Sequence, residues 1–303
     1  MNDRPSSHAS HVTTEDPFEP VFNPDVYRRQ EGFHALDDAS LERHFHAHGI
    51  AEGRLGADNS LRENFVSLAS VYDTILEIGP FCNPLITDPK VRYFDVLDSA
   101  ALEARAKEVG YPIVEIPKID YVSPSGDLSI VDETFDLVIS SHCVEHQPDL
   151  IGHLNAVAEI LADGGHYFLL IPNKKYCFDY FIDQSRLEEI CSAHADRRRT
   201  HSLASVIEHR ALITHNDCAR HWVGDHADGD YFTGRTEAIR KAIEEYDTSD
   251  GAYIDVHAWQ FTPQSFELII AMLKELSLIS LEPVRVYNTP RGRNEFTAIL
   301  AKR

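Results

Sequence analysis

The sequence predicts an open α/β fold, a largely parallel sheet with helices on both faces, and three observations predict it. Apolar runs of strand length recur along the chain, helical patterns separate them in β-α-β order, and several runs end in an acid, a glycine or a histidine. Residues 74–81, Thr-Ile-Leu-Glu-Ile-Gly-Pro-Phe, form the first strand and its turn. In such sheets a ligand lies beyond the carboxyl ends of the strands, and the first strand-to-helix turn gives the close backbone approach. Gly79 is where the chain passes without a Cβ. A pyrophosphate asks for more glycines, as G-x-G-x-x-G, so that several N–H groups face the phosphates. Phe81 and Pro84 occupy those places, and Pro80 and Pro84 each remove a backbone donor. The turn therefore suits a nucleoside without phosphates better than a dinucleotide.

The remaining elements follow in order. Residues 91–95 read as a second strand, with Asp95 at its carboxyl end placed to accept ribose hydroxyls and Asp98 as the alternate. Residues 113–116 are expected to form a third strand followed by Asp120. Residues 135–142 are nearly all apolar, as in a parallel strand buried on both faces, and bring His142 to the ligand edge. A helix over 149–161 and the turn Ala162-Asp163-Gly164-Gly165 lead to a fifth strand, 166–173, stopped by Pro172. Near the end, Thr262 caps a helix with Pro263 in its first turn and Phe266, Ile269, Ile270 and Leu273 on one face. Residues 281–287 and 295–300 complete the sheet as an antiparallel hairpin.

The stretches LEIGP, FDLVISSHCVEHQPD and LADGGHYFLLIPN, in this order and spacing, resemble the first-, fourth- and fifth-strand motifs of the class I S-adenosylmethionine-dependent methyltransferases. The resemblance covers roughly residues 70–175 and returns at the C-terminus. It implies a Rossmann-like seven-stranded methyltransferase sheet and S-adenosylmethionine as cofactor. By the same resemblance Glu77, Gly79, Pro80 and Phe81 line the methionine and ribose, Asp95 binds ribose, Asp120 lies near the adenine amine, and Ser141 and His142 face the sulfonium. The chain departs from the family at Phe81 and Asn83, where many members keep glycine.

Four segments are expected: a disordered N-terminus (1–21), a small helical module (22–57), the cofactor-binding domain (58–175 and 252–303) and a helical lid that binds the acceptor (176–251). The module, with FNPDVY and HAHGIAEGR, resembles one that accompanies bacterial glycosyltransferases and other surface-polysaccharide enzymes, and DVHAWQFTPQSF and EFTAIL resemble the tail of polysaccharide-linked methyltransferases. This implies a sugar or glycan acceptor and docking to polysaccharide-assembly enzymes through the module. His44 and His48 have the i,i+4 spacing of a metal pair, but an exposed pair without metal is the preferred reading.

Composition narrows the partners. The chain has 303 residues, 43% hydrophobic, and a net charge of −21 from 28 Lys and Arg against 49 acids. A polyanion meets repulsion, so nucleic acid is excluded as acceptor; Arg197-Arg198-Arg199 reads as a solvated helix face. Five cysteines without a C-x-x-C pair fit reduced thiols. With no signal peptide and no apolar run near the ~20 residues of a membrane helix, a soluble cytoplasmic protein without membrane insertion is expected.

Within the insertion, Tyr176 and Tyr180 belong to an aromatic stripe able to stack on a sugar face or simply to pack. His215, Asn216, Asp217, His221, Trp222, Asp225 and His226 follow, and His257 returns toward the core beside Asp255. These residues are assigned to acceptor binding by direct hydrogen bonds. A divalent ion held by the same cluster is the lesser reading, because the spacing matches no familiar ligand motif, and no residue is assigned to metal. Methyl transfer to a hydroxyl needs alignment and a base, and histidine titrates in the right range. His142 leads by position, His215 and His221 follow, and His146 is read as tethering the next helix. The expectation is an O-methyltransferase acting on a sugar or glycan intermediate of surface-polysaccharide assembly. Its rivals are methylation of another small molecule (carboxylate, amine or phosphoester) and an inactive cofactor-binding scaffold.

Overall fold

A computed structural model describes residues 17–303. Most of the segment expected to be disordered, residues 1–16, lies outside the described residues. The part inside is packed rather than loose: Phe18 is buried and meets His166 and Phe168 edge-on at 5.0 and 5.9 Å, so order begins before Phe22. An apolar ring among polar neighbours was enough to anchor it to the sheet.

The N-terminal helices are α1 (Pro24–Arg28), α2 (Asp38–His44) and α3 (Ile50–Glu52), the last two joined through a π turn at Phe45–Gly49. Asn23 and Asp37 cap the first two by accepting backbone N–H bonds. Tyr27, Phe33, Leu41 and Phe45 make a small core of their own. Gly49 has no substitute there, since a Cβ would lie 2.3 Å from the Tyr27 hydroxyl.

Helix α4 (Arg62–Ser67) leads into the sheet: β1 (Ile75–Ile78), β2 (Val91–Asp95), α5 (Ser99–Val109), β3 (Tyr121–Val122), β4 (Phe135–Ser141), α6 (Leu150–Ile160) and β5 (Leu161–Pro172). Helices α7 (Leu187–Ala195), α8 (Leu203–Ala211), α9 (Cys218–Trp222) and α10 (Arg235–Thr248) fill the next stretch. Helix α11 (Pro263–Glu275), β6 (Leu281–Val286) and β7 (Glu295–Lys302) finish the chain. The seven strands run in the order β3-β2-β1-β4-β5-β7-β6, with β7 antiparallel to both neighbours and the other pairs parallel.

Alternation along the central strands explains why both faces are covered. Leu76, Ile78 and Val138 join one core with α6 and α11, whereas Ile75, Leu137 and Ile139 join a second core with Phe65 of α4 and Phe168.

Two expected boundaries change. Residues 113–116 are not a strand: Val114 and Glu115 donate their N–H groups to Cys82 O, and Val114 is 70% exposed. The third strand is only Tyr121–Val122, beside Phe94 and Asp95. The turn 162–165 is absorbed into β5 as an irregularity, where pairing jumps from Phe135 opposite Leu161 to Leu137 opposite His166, with Gly164 at φ +78°.

Candidate functional site

Strands β1 and β4 are neighbours, and chain order runs away from them in both directions, so their carboxyl edge is the switch point at which open α/β sheets bind ligands. Gly79 turns there at φ +70°; a Cβ on it would meet only the Cys143 side chain, at 3.8 Å, so conformation rather than space demands glycine. Phe81, one of the family departures, adopts φ +48°. Its ring packs edge-on against Tyr111 at 5.1 Å, over the cluster of Cys82, Leu102 and Ala106. Pro80 is buried between these two residues.

Glu77 is 2% exposed and accepts the N–H groups of Leu85 and Ile86 at 2.7 and 3.3 Å. Burial pushes its carboxyl up to about 7 despite those bonds. It thus holds the loop that Gly79 opens. Asp95 ends β2 next to that loop, where Gly79 N donates to Phe94 O. Burial raises its carboxyl, opposed by the N–H groups of Leu97, Val96 and Phe81. A buried carboxylate beside a Cβ-free turn is what a ribose diol requires.

Asp120 precedes β3 instead of following a strand at 113–116, is exposed, and accepts Tyr93 N at 3.0 Å, so it braces β2.

The expected sulfonium-facing pair is tied into a network missing from the sequence reading. Ser141 Oγ accepts from Arg62 Nη2 at 2.8 Å, and Arg62 grips Glu295 through Nε and Nη2 at 2.8 and 2.7 Å. His142 sits at φ +50° with Nε2 2.9 Å from Glu295 Oε2. Burial alone would raise the Glu295 carboxyl, but the bonds and charge of His142 and Arg62 outweigh it and hold it down at about 2. The imidazole N–H therefore donates to a carboxylate, leaving the Nδ1 lone pair as the basic atom.

The insertion's polar run is drawn together, and most of its members pair with a neighbour. His221 is buried, with Nδ1 3.0 Å from His226 Nδ1 and Nε2 3.0 Å from His215 O. His215 Nε2 meets Asp225 O at 3.1 Å, and its Nδ1 accepts Asp217 N at 3.3 Å. Asp217 caps α9, Asp225 pairs with Arg220, and Asn216 is exposed. Tyr176 stacks on Trp222 and Tyr180 on His226, each at 3.7 Å, and Trp222 Nε1 donates to Arg293 O. Much of the polar density in this run is taken up by internal pairing among its own members.

His257 stands apart from that run. Its Nδ1 is 2.6 Å from Asp179 Oδ2, and both are nearly sealed from solvent. Burial pushes the Asp179 carboxyl up and the His257 imidazole down from their ordinary values. His146, read as a tether, has Nδ1 3.1 Å from Asp255 Oδ1. Glu145 Oε1 lies 3.9 Å from the Nε2 of each of these two rings. Sequence reasoning passed over Arg62, Glu145, Asp179 and Glu295, whose partners are distant in the chain.

A further cleft of about 900 Å³ opens beside Trp259 and Gln260 and is lined by Asp183, Ser185, His201 and Ser205. Both ring nitrogens of His201 and the amide nitrogen of Gln260 are buried without a hydrogen-bond partner.

Fold and edge together define an open α/β domain built to take a nucleoside. The sequence also matches the family described as Methyltransferase domain over residues 38–221, more than half of the chain. The chain belongs to that family, and its cofactor is S-adenosylmethionine. No curated protein matches it. Among solved structures it is similar to the mitomycin 7-O-methyltransferase MmcR, at 10% identity and TM-score 0.37, over 88% of this chain and 59% of that one. It is also similar to an S-adenosylmethionine-dependent methyltransferase from Clostridium acetobutylicum, at 10% identity and TM-score 0.39, over 87% and 98%. A third is the magnesium protoporphyrin IX methyltransferase from Synechocystis, at 10% identity and TM-score 0.36, over 88% and 100%. At such values none of the three carries an argument about chemistry, and the chain spans little more than half the length of the first.

Proposed function

We propose that this chain transfers a methyl group to a hydroxyl of a polyhydroxylated acceptor, a sugar or glycan. Bound S-adenosylmethionine supplies an electrophilic methyl. Gly79 and the loop held by Glu77 admit the nucleoside, and Asp95 accepts from its ribose. His142 acts as general base through Nδ1, while Glu295 fixes the tautomer and ring plane and Arg62 fixes Glu295. The observation that carries this reading is the Glu295 to His142 contact at the carboxyl edge of β4, one residue past Ser141. The cleft beside Gln260 offers the acceptor side: Asp183, Arg186, Ser192 and Ser202 among its lining suit hydroxyl groups better than an apolar ring. A net charge of −21 favours a neutral or cationic acceptor over a polyanion.

The test is mass spectrometry of the purified chain with S-adenosylmethionine and a panel of nucleotide sugars, free sugars and short glycans. A product heavier by one methyl substitution, made in stereospecific fashion at one hydroxyl, supports the reading. Transfer confined to carboxylates or amines would replace it with the second acceptor class, and cofactor binding without transfer to any acceptor would point to a scaffold. The N-terminal module is proposed to dock polysaccharide-assembly enzymes; equal acceptor use and assembly after deletion of residues 1–57 would refute that.

A further inference from the structure

Glu145 is the least comfortable side chain among the described residues. It is 0% exposed, and neither carboxylate oxygen has a hydrogen-bond partner. A carboxylate buried in that state is strongly unfavourable unless an opposite charge meets it. What faces it is three imidazole nitrogens, all belonging to rings that are themselves backed by carboxylates. His146 Nε2 and His257 Nε2 each lie 3.9 Å from Glu145 Oε1, too far for a hydrogen bond and close enough to share a third body. The three ligand atoms lie within 4.8 Å of one another, and the two rings are nearly perpendicular at 87°.

We infer that Glu145, His146 and His257 bind one divalent first-row transition ion of the zinc class. A triangle with two sides of 3.9 Å and a third no longer than 4.8 Å has its centre at most about 2.5 Å from each corner. Side-chain adjustments of a few tenths of an ångström would bring all three to the roughly 2.0–2.2 Å of Zn–N and Zn–O bonds. Two imidazoles and one carboxylate are a borderline donor set that suits zinc, cobalt or iron and not magnesium or calcium.

The surroundings match the donors. Ligating histidines donate the far ring nitrogen to a carboxylate, which fixes the tautomer and raises ligand basicity. Here Asp179 takes His257 Nδ1 at 2.6 Å, which leaves that Nε2 to point inward, and Asp255 Oδ1 lies 3.1 Å from His146 Nδ1 as a charge contact without hydrogen-bond alignment. The backbone carbonyl of Glu145 accepts from Ala258 N and Trp259 N, which locks the segment after β4 to the segment carrying His257. His146 keeps 25% of its side chain exposed, so the site has a solvent side, and three protein ligands leave a coordination position open. His142 Nδ1 lies 3.9 Å from Glu145 Oε1, which puts the ion at the edge of the proposed methyl-transfer site. The inference does not depend on that reaction.

The experiment uses the full chain without an affinity tag, stripped with a chelator and dialysed. Zn²⁺ is titrated by calorimetry and Co²⁺ by visible absorption. One equivalent of Zn²⁺ should bind, and Co²⁺ should give d–d bands of a low-coordinate nitrogen and oxygen site. Glu145→Gln and His257→Ala should each weaken Zn²⁺ binding at least 100-fold, and Asp179→Asn 10- to 100-fold, as expected for an orienting partner. His221→Ala, in the other histidine cluster, should bind as the wild type does. Far-UV circular dichroism confirms that each variant is folded, and Glu145→Gln, which conserves shape, decides the case if His257→Ala is not. Absence of stoichiometric Zn²⁺ binding by the wild type, or binding undiminished in Glu145→Gln, overturns the inference.

Discussion

Replacing Glu295 by Gln tests the network that positions His142. The carboxyl titrates at about 2 in the folded protein against an ordinary value of 4.5, a difference of 2.5. At about 1.36 kcal/mol per unit, the ionised form contributes about 3 kcal/mol to folding near neutral pH. A folded-state value below the unfolded one means that this contribution is complete above pH 4.5 and is lost as pH falls toward 2. At pH 3 the same relation leaves about 1 kcal/mol. Gln keeps the shape and one acceptor for Arg62, so the change removes charge more than packing. Urea unfolding of wild type and Glu295→Gln, followed by circular dichroism, should therefore give a gap of about 3 kcal/mol at pH 7 that narrows to about 1 kcal/mol at pH 3. A gap that is equal at the two pH values, or below about 0.5 kcal/mol at pH 7, the range of ordinary surface changes, would refute the account of Glu295 as a buried, doubly paired carboxylate.

Three further outcomes are expected. His142→Ala should lower turnover by ~100- to 10,000-fold while leaving cofactor affinity within a few-fold, read by steady-state rates and calorimetry with S-adenosylhomocysteine; unchanged turnover would move the base elsewhere. Asp95→Asn should weaken cofactor binding by about 1.5–3 kcal/mol, roughly 10- to 150-fold in Kd, because hydrogen bonds to a charged group are lost. Leu41→Ala, at a site with 0% exposure in the small N-terminal core, should destabilise that unit by about 2–5 kcal/mol, visible as accelerated proteolysis near residues 22–57.

Local chemistry was legible in the sequence, and long-range pairing was not. The apolar runs of β1, β4 and β5, the Thr262 cap and the glycine turn at 79 follow from periodicity and side-chain type. Residues 113–116 have strand-like composition, but their N–H groups are claimed by the Cys82 carbonyl, a partner some 30 residues away that no local pattern announces. In the insertion the polar density was legible, but not the pairing by which His215, His221 and Asp225 meet one another's side chains and backbone carbonyls. Conversely Glu145 sits in an ordinary-looking helical turn, and only the return of His257 from over 100 residues downstream makes its burial notable.

The final strand of the chain, β7, is interior to the sheet, wedged between β5 and β6. Until its residues are available the apolar edge of β5 is an open template for other chains, and β6 has no partner strand. Since β7 begins with Glu295, the same docking event seals that edge and sets the orientation of His142. Pairing of β7 with β5 and β6 thus shields that edge and orients the proposed proton acceptor in one step, and a variant truncated before residue 295 would lose both together.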